Sequence, residues 1–123
     1  MAGAFLEAQM QVKEEKLDSV TVLTLDTLYI GASEAGVIMD ALHALRERGE
    51  KWVVVDLARV QTMNSSGLGA LISGLNTMRQ AGGDLKLAAV TEKVDHLLII
   101  TKLRSVFACF DTVAEAVASF SLF

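Results

Sequence analysis

Met63-Asn64-Ser65-Ser66-Gly67-Leu68-Gly69-Ala70-Leu71-Ile72 decides the fold, because a buried strand region ends there and an amphipathic helix begins. Upstream, Trp52-Val53-Val54-Val55-Asp56-Leu57 is a short apolar, β-branched run, the pattern of a strand covered on both faces. Downstream, Leu68, Leu71, Ile72 and Leu75 recur at three- and four-residue intervals and share one face of a helix. Between the two, the backbone turns, and the first amides of the new helix have no partner within it. Asn64 is the expected N-cap, which puts Ser65 at the first helical position with its hydroxyl free to face solvent or a partner. Unpaired amides and the positive end of the helix dipole favour an anion or a hydroxyl oxygen at this point. Gly67 and Gly69 let another backbone approach the first turn. Either a partner or the chain's own sheet satisfies that reading.

Working outward, Gln11–Lys16 and Val20–Leu25 read as two strands joined by a turn at Leu17-Asp18-Ser19, an opening hairpin. From Ser33 to Arg48, Val37, Ile38, Ala41, Leu42 and Leu45 line one side of a helix that stops at Gly49. Gly82-Gly83 ends the serine-bearing helix, Leu85–Ala89 is a further strand, and Glu92–Ile100 a short helix with Val94, Leu97 and Leu98 inward. Phe107–Phe110 reads as a last strand. Thr112-Val-Ala-Glu115 has capping-box spacing for a final helix carrying Val113, Ala116, Val117 and Phe120. Strands alternating with helices after a hairpin imply an α/β fold: a mixed sheet, parallel in its later part, flanked by about four helices. Partners of such sheets engage the loops at the carboxyl ends of the strands, the edge where Ser65 falls.

The chain has 123 residues and is 52% hydrophobic, which fits a single domain with one real core and excludes disorder. No apolar run is long enough to span a bilayer, and the first ten residues lack the basic and apolar regions of a secretion signal. A cytoplasmic protein with no membrane insertion is the expectation. A net charge of −4 with scattered Lys and Arg weighs against nucleic acid as partner. Arg46 and Arg48, and Lys102 and Arg104, read as solvated cations at helix ends. Cys109, the single cysteine, stands among Phe107, Ala108 and Phe110 and reads as a buried core thiol with no basic neighbour in sequence. His43 and His96 fall on helix bodies without a second ligand at metal spacing, so no metal or other cofactor is expected. Ser65 is not in a Gly-x-Ser-x-Gly elbow, and no lysine follows the glycines to make a phosphate-binding loop, so catalysis is not expected either.

The segments Val53-Val-Val-Asp56-Leu57, Met63-Asn-Ser-Ser-Gly-Leu-Gly69, Gly82-Gly83-Asp-Leu-Lys-Leu and Leu103-Arg-Ser-Val-Phe107 resemble the STAS domain of bacterial anti-sigma-factor antagonists. The likeness runs from about Met10 to Phe120. It implies a binding protein that holds a serine-kinase anti-sigma factor when unmodified and releases it when the first motif serine is phosphorylated. By position that phosphoacceptor is Ser65, with Asn64, Ser66, Gly67 and Leu68 as the adjoining contact surface. The chain departs from the family pattern twice. Asn64 stands where most relatives have aspartate, and Thr27-Leu-Tyr-Ile-Gly31-Ala-Ser33 is aliphatic and aromatic where polar residues are usual. Leu28, Tyr29 and Ile30 therefore form either an apolar docking patch or an extension of a strand packed on the core. The alternative role within the family is an adaptor that is never phosphorylated, serving a transporter ATPase or a stress-signalling complex.

Overall fold

A computed structural model of the chain describes residues 10–120. The first residues, on which the reading of a missing secretion signal rests, lie outside them. In chain order the elements are β1 (Gln11–Leu17), β2 (Val20–Asp26), β3 (Tyr29–Ile30), α1 (Ala32–Glu47), β4 (Trp52–Asp56), β5 (Thr62–Met63), α2 (Ser65–Gln80), β6 (Asp84–Ala88), α3 (Glu92–Ile100), β7 (Cys109–Phe110) and α4 (Val113–Ala118). Five strands form one sheet in the order β1-β2-β4-β6-β7. The β1–β2 pair is antiparallel and every later pairing in that sheet is parallel, the mixed sheet expected. The hairpin is tighter than the sequence suggested: Leu17 pairs with Val20, leaving Asp18 and Ser19 as the loop, with Asp18 at φ +56°.

The alternation along β4 explains its uninterrupted apolar run. Val53 and Val55 join the larger core, where β2 (Leu23, Leu25) and β6 (Leu85, Leu87) meet α1, α2 and α3. Val54 points the other way and joins Val20, Val22 and Ala88 beneath α4, through Ala116 and the following Phe120. Each such buried aliphatic side chain stabilises by roughly 1.5–3 kcal/mol, so the strand is held on both faces. Trp52 and Phe120 meet at 5.5 Å between ring centroids. The Lys86 ammonium donates to Ser119 Oγ at 2.7 Å and sits 4.1 Å from the Phe120 ring centroid, pinning the end of α4 to the sheet.

Gly83 explains the double glycine after α2: a Cβ there would fall 1.9 Å from the Lys51 carbonyl, so only a bare backbone fits beside β4's entry. The left-handed stop is Gly82 alone, at φ +88°. The last strand is shorter than the sequence implied, because only Cys109 and Phe110 pair, opposite Leu87 and Ala88. Arg48 and Arg104 are exposed near helix ends, as expected, and each is also paired. Arg48 donates to Glu14 on β1 at 2.5 Å, and Arg104 to Asp95 on α3 at 2.7 Å.

Candidate functional site: the lip where α1 and α2 begin

A second, two-stranded parallel sheet, β3 with β5, pairs Tyr29 with Thr62 and Ile30 with Met63. Sequence periodicity could not reveal it, since a two-residue strand carries no alternation to count. Its effect is to place the starts of α1 and α2 side by side, because each helix begins within two residues of one of these strands. The Leu28 carbonyl accepts from the amides of Gln61 and Thr62, and the Ile30 carbonyl accepts from Asn64 at 3.1 Å.

Asn64 caps α2 as expected: its side-chain oxygen accepts from the Gly67 amide at 3.1 Å. The first intrahelical backbone bond runs from Leu68 N–H to the Asn64 carbonyl, so the amides of Ser65 and Ser66 precede the ladder. Asn64, Ser65 and Ser66 are all exposed. No acidic residue lies in the first turn of α2, which leaves the positive end of its dipole uncompensated by carboxylate. Chemically the arrangement offers a solvent-facing hydroxyl at a charge-free helix N-terminus, a place that accepts an anion without strain in the fold.

Three of the expected contact residues turn inward. Gly67 is buried, and a Cβ there would stand 2.8 Å from the Ile30 carbonyl oxygen and 3.0 Å from the Met63 Cβ. Its close contact is thus with the chain's own β3 and β5. Leu68 is 9% exposed and belongs to the core. Ile30 is fully buried, whereas Leu28 and Tyr29 are 59% and 47% exposed. The loop therefore does both things the sequence left open: Ile30 extends a strand into the core, and Leu28 and Tyr29 stay outside. Gly69 is exposed with nothing within 4 Å of a Cβ built on it.

The helix beside α2 is capped differently. Glu34 Oε1 accepts from the Gly31 amide at 2.8 Å, and Ser33 Oγ donates to Glu34 Oε2 at 3.0 Å. The Gly31 amide holds the Glu34 carboxyl below its ordinary value. The Tyr29 ring lies over Gly31, with Cε2 2.7 Å from where a Cβ would stand.

His43 and His96 are exposed on α1 and α3. Among the described residues no group of three or more His, Cys, Asp or Glu could hold a metal, and no helix is long and apolar enough to cross a membrane. Cys109 is half-buried rather than sealed in the core and lines a hollow of about 300 Å³ with Arg104, Asp95 and Phe110. Burial raises its thiol pKa, and the nearby Arg104, a neighbour the sequence did not suggest, opposes the shift.

The family model for the STAS domain matches residues 11–116. BtrV of Bordetella bronchiseptica, named as a candidate anti-sigma factor antagonist, is 26% identical over 111 residues, covering 90% of this chain and 95% of its own. The crystal structure of an anti-sigma factor antagonist from Mycobacterium paratuberculosis superposes with a TM-score of 0.79 at 21% identity, covering 90% of this chain and 93% of that one. A sulfate transporter family protein from Wolinella succinogenes superposes with a TM-score of 0.74 at 18% identity, covering 85% and 87%. At these identities the two structural likenesses establish the fold alone.

Proposed function

This chain belongs to the STAS domain family, and on that premise we propose that it is a regulatory binding module, an anti-sigma-factor antagonist. It binds a serine-kinase anti-sigma factor and is released when that kinase phosphorylates Ser65. The observation that carries the reading is the exposure of Ser65 at the first position of α2, beside an Asn64 side chain already committed to capping. A phosphoryl group there adds about −1.5 to −2 charges. Within the free protein the helix dipole favours that charge. Against a partner surface packed on the hydroxyl it is uncompensated, and a loss of only about 1.4 kcal/mol weakens binding tenfold. The fold need not rearrange. Ser65 acts here as a recognition element and phosphoacceptor.

The test combines the purified chain with each serine-kinase anti-sigma factor encoded in the same genome, with and without ATP. The reading expects a complex that dissociates as a single phosphate appears on Ser65, loss of that phosphate in Ser65→Ala, and loss of binding in Ser65→Asp. Phosphate on Ser65→Ala together with unimpaired binding by Ser65→Asp refutes it. The exposed Leu28 and Tyr29 favour a second reading, an unphosphorylated adaptor for a transporter ATPase. Co-purification with such an ATPase, with Ser65 unmodified in cells, is its signature.

A further inference from the structure

Three of the five exposed large apolar side chains fall on one short stretch: Ile99 and Ile100 on α3, 53% and 61% exposed, and Val106 in the turn after it, 37% exposed. The helix turns Val94 and Leu98 fully into the larger core. At ~100° per residue its opposite side carries Glu92, His96 and Ile99, all exposed, with Lys93 and Ile100 beside them. An open hollow of about 610 Å³ lies along this side, lined by Glu92, Lys93, Asp95, His96 and Ile99. The strand that follows Met10, β1, and the strand that follows α3, β7, are opposite edges of the sheet. Phe120 lies in the smaller core, on the other face from Val94 and Leu98, so this side of α3 is remote from both ends of the described chain. Charge is unevenly placed along it. Glu92 stands at the N-terminal end of the stripe and Lys102 just past its C-terminal end, both exposed. Among the described residues neither makes an ion pair, whereas Arg104 and Asp95 pair with each other at 2.7 Å.

We infer that this side of α3 docks on the same side of a second copy of the chain, the two helices antiparallel about a two-fold axis at the level of Leu97. The stripe runs from acid through an apolar centre to base, so it is complementary to its own reverse. In the antiparallel pair Glu92 of each copy comes level with Lys102 of the other, and Ile99 of each comes beside His96 of the other. The centre is then apolar and the charges fall at the rim, the usual anatomy of an interface. Each helix also sets its acidic, N-terminal end against the cationic C-terminal end of its partner, the sense that the helix dipoles favour. A parallel pairing would place Glu92 on Glu92 and Lys102 on Lys102, so charge selects the antiparallel one. Charge also selects a second copy over a membrane surface, because a helix that lies on anionic lipid rings its apolar side with cations, and here Glu92 and Asp95 stand among them. A contact that uses the same patch on both copies closes at two. The inference is independent of the reading of Ser65.

A nine-residue helix is about 14 Å long, so the contact belongs with the small interfaces and the expected Kd is about 100 µM. Sedimentation equilibrium of the full chain from about 5 to about 500 µM measures it, and the expected result is passage from monomer to dimer with no larger species. Ile99→Asp raises the Kd by about tenfold or more, since it places an unpaired charge at the centre of the contact. Glu92→Lys and Lys102→Glu each raise it by about threefold or more, and the double variant returns it to within about twofold of the parent. All three positions are exposed, so the variants keep the fold, and matching thermal melts check this. A chain that stays monomeric across the range overturns the inference, as does a dimer that Ile99→Asp leaves unchanged. A double variant no tighter than the single ones overturns the antiparallel pairing. None of these results touches the phosphorylation of Ser65, which is read in its own experiment.

Discussion

Asn64 and Gly67 fix each other: the asparagine oxygen takes the glycine amide at 3.1 Å, and the glycine's lack of a side chain lets that turn lie against the Ile30 carbonyl. The hydroxyl of Ser65 is displayed because the residues on either side of it are held. Asn64 is tied down by its cap bond, and Gly67 is seated on β3.

Replacing the cap tests the first half of that arrangement. Asn64→Ala is expected to lower the free energy of unfolding by about 1 kcal/mol, the usual cost of losing an N-cap. Asn64→Asp is expected to retain the cap and add about 0.3–1 kcal/mol through the helix dipole. Urea denaturation of the three proteins measures both. An alanine variant as stable as the parent would show that the cap bond contributes nothing.

The two glycines near the start of α2, Gly67 and Gly69, should respond with opposite signs. Gly67→Ala drives a methyl group to within 2.8 Å of the Ile30 carbonyl oxygen, a backbone atom with little room to yield. A loss of about 1–3 kcal/mol follows from overpacking. Gly69→Ala meets open space and should gain about 0.5–1 kcal/mol of helix propensity. Denaturant midpoints that moved in the same direction would contradict the packing described.

Lys102 closes α3 at φ +62°, in the left-handed region, where a side chain is strained. Lys102→Gly removes that strain at the expense of a more flexible unfolded chain, for an expected net gain of about 0.5–1 kcal/mol. Thermal melts of the variant and parent decide it, with a lower midpoint for the variant as the contrary result.

Glu34 gives the stability a pH dependence of defined sign. Its carboxyl is held below the ordinary value by the Gly31 amide. Its contribution is therefore present above the unfolded carboxylate value, roughly pH 4, and is lost as pH falls through the lower folded value. Glu34→Gln should be less stable than the parent near neutral pH, with the gap closing at acid pH. The effect is modest because the group is only partly buried. A gap that widened on acidification would reverse the assignment.

Much of the architecture was legible in the order of residues because it rests on periodicities that span whole elements. The Val53–Val55 run, the Ser33–Leu45 stripe and the Leu68–Leu75 stripe each bury several side chains on fixed faces, and no distant contact overrides so many agreeing positions. The cap at Asn64 was legible for a related reason, since an N-cap satisfies amides two or three residues away and needs nothing from the rest of the molecule.

Long-range pairing decided the remainder. Two residues of β3 meet two of β5 through backbone hydrogen bonds, which any side chains could flank, so no sequence pattern announces them. That small ladder sent Ile30 into the core, left Leu28 and Tyr29 outside, and seated Gly67 against its own chain. The approach of Arg104 and Asp95 to Cys109 likewise depended on how α3 and the turn after it pack beside β7. The chain's order of residues determined which segments become strands and helices and where a hydroxyl begins α2. Only the tertiary structure decided which neighbours of that hydroxyl remain available to a partner, because exposure is a property of what covers a residue and not of the residue itself.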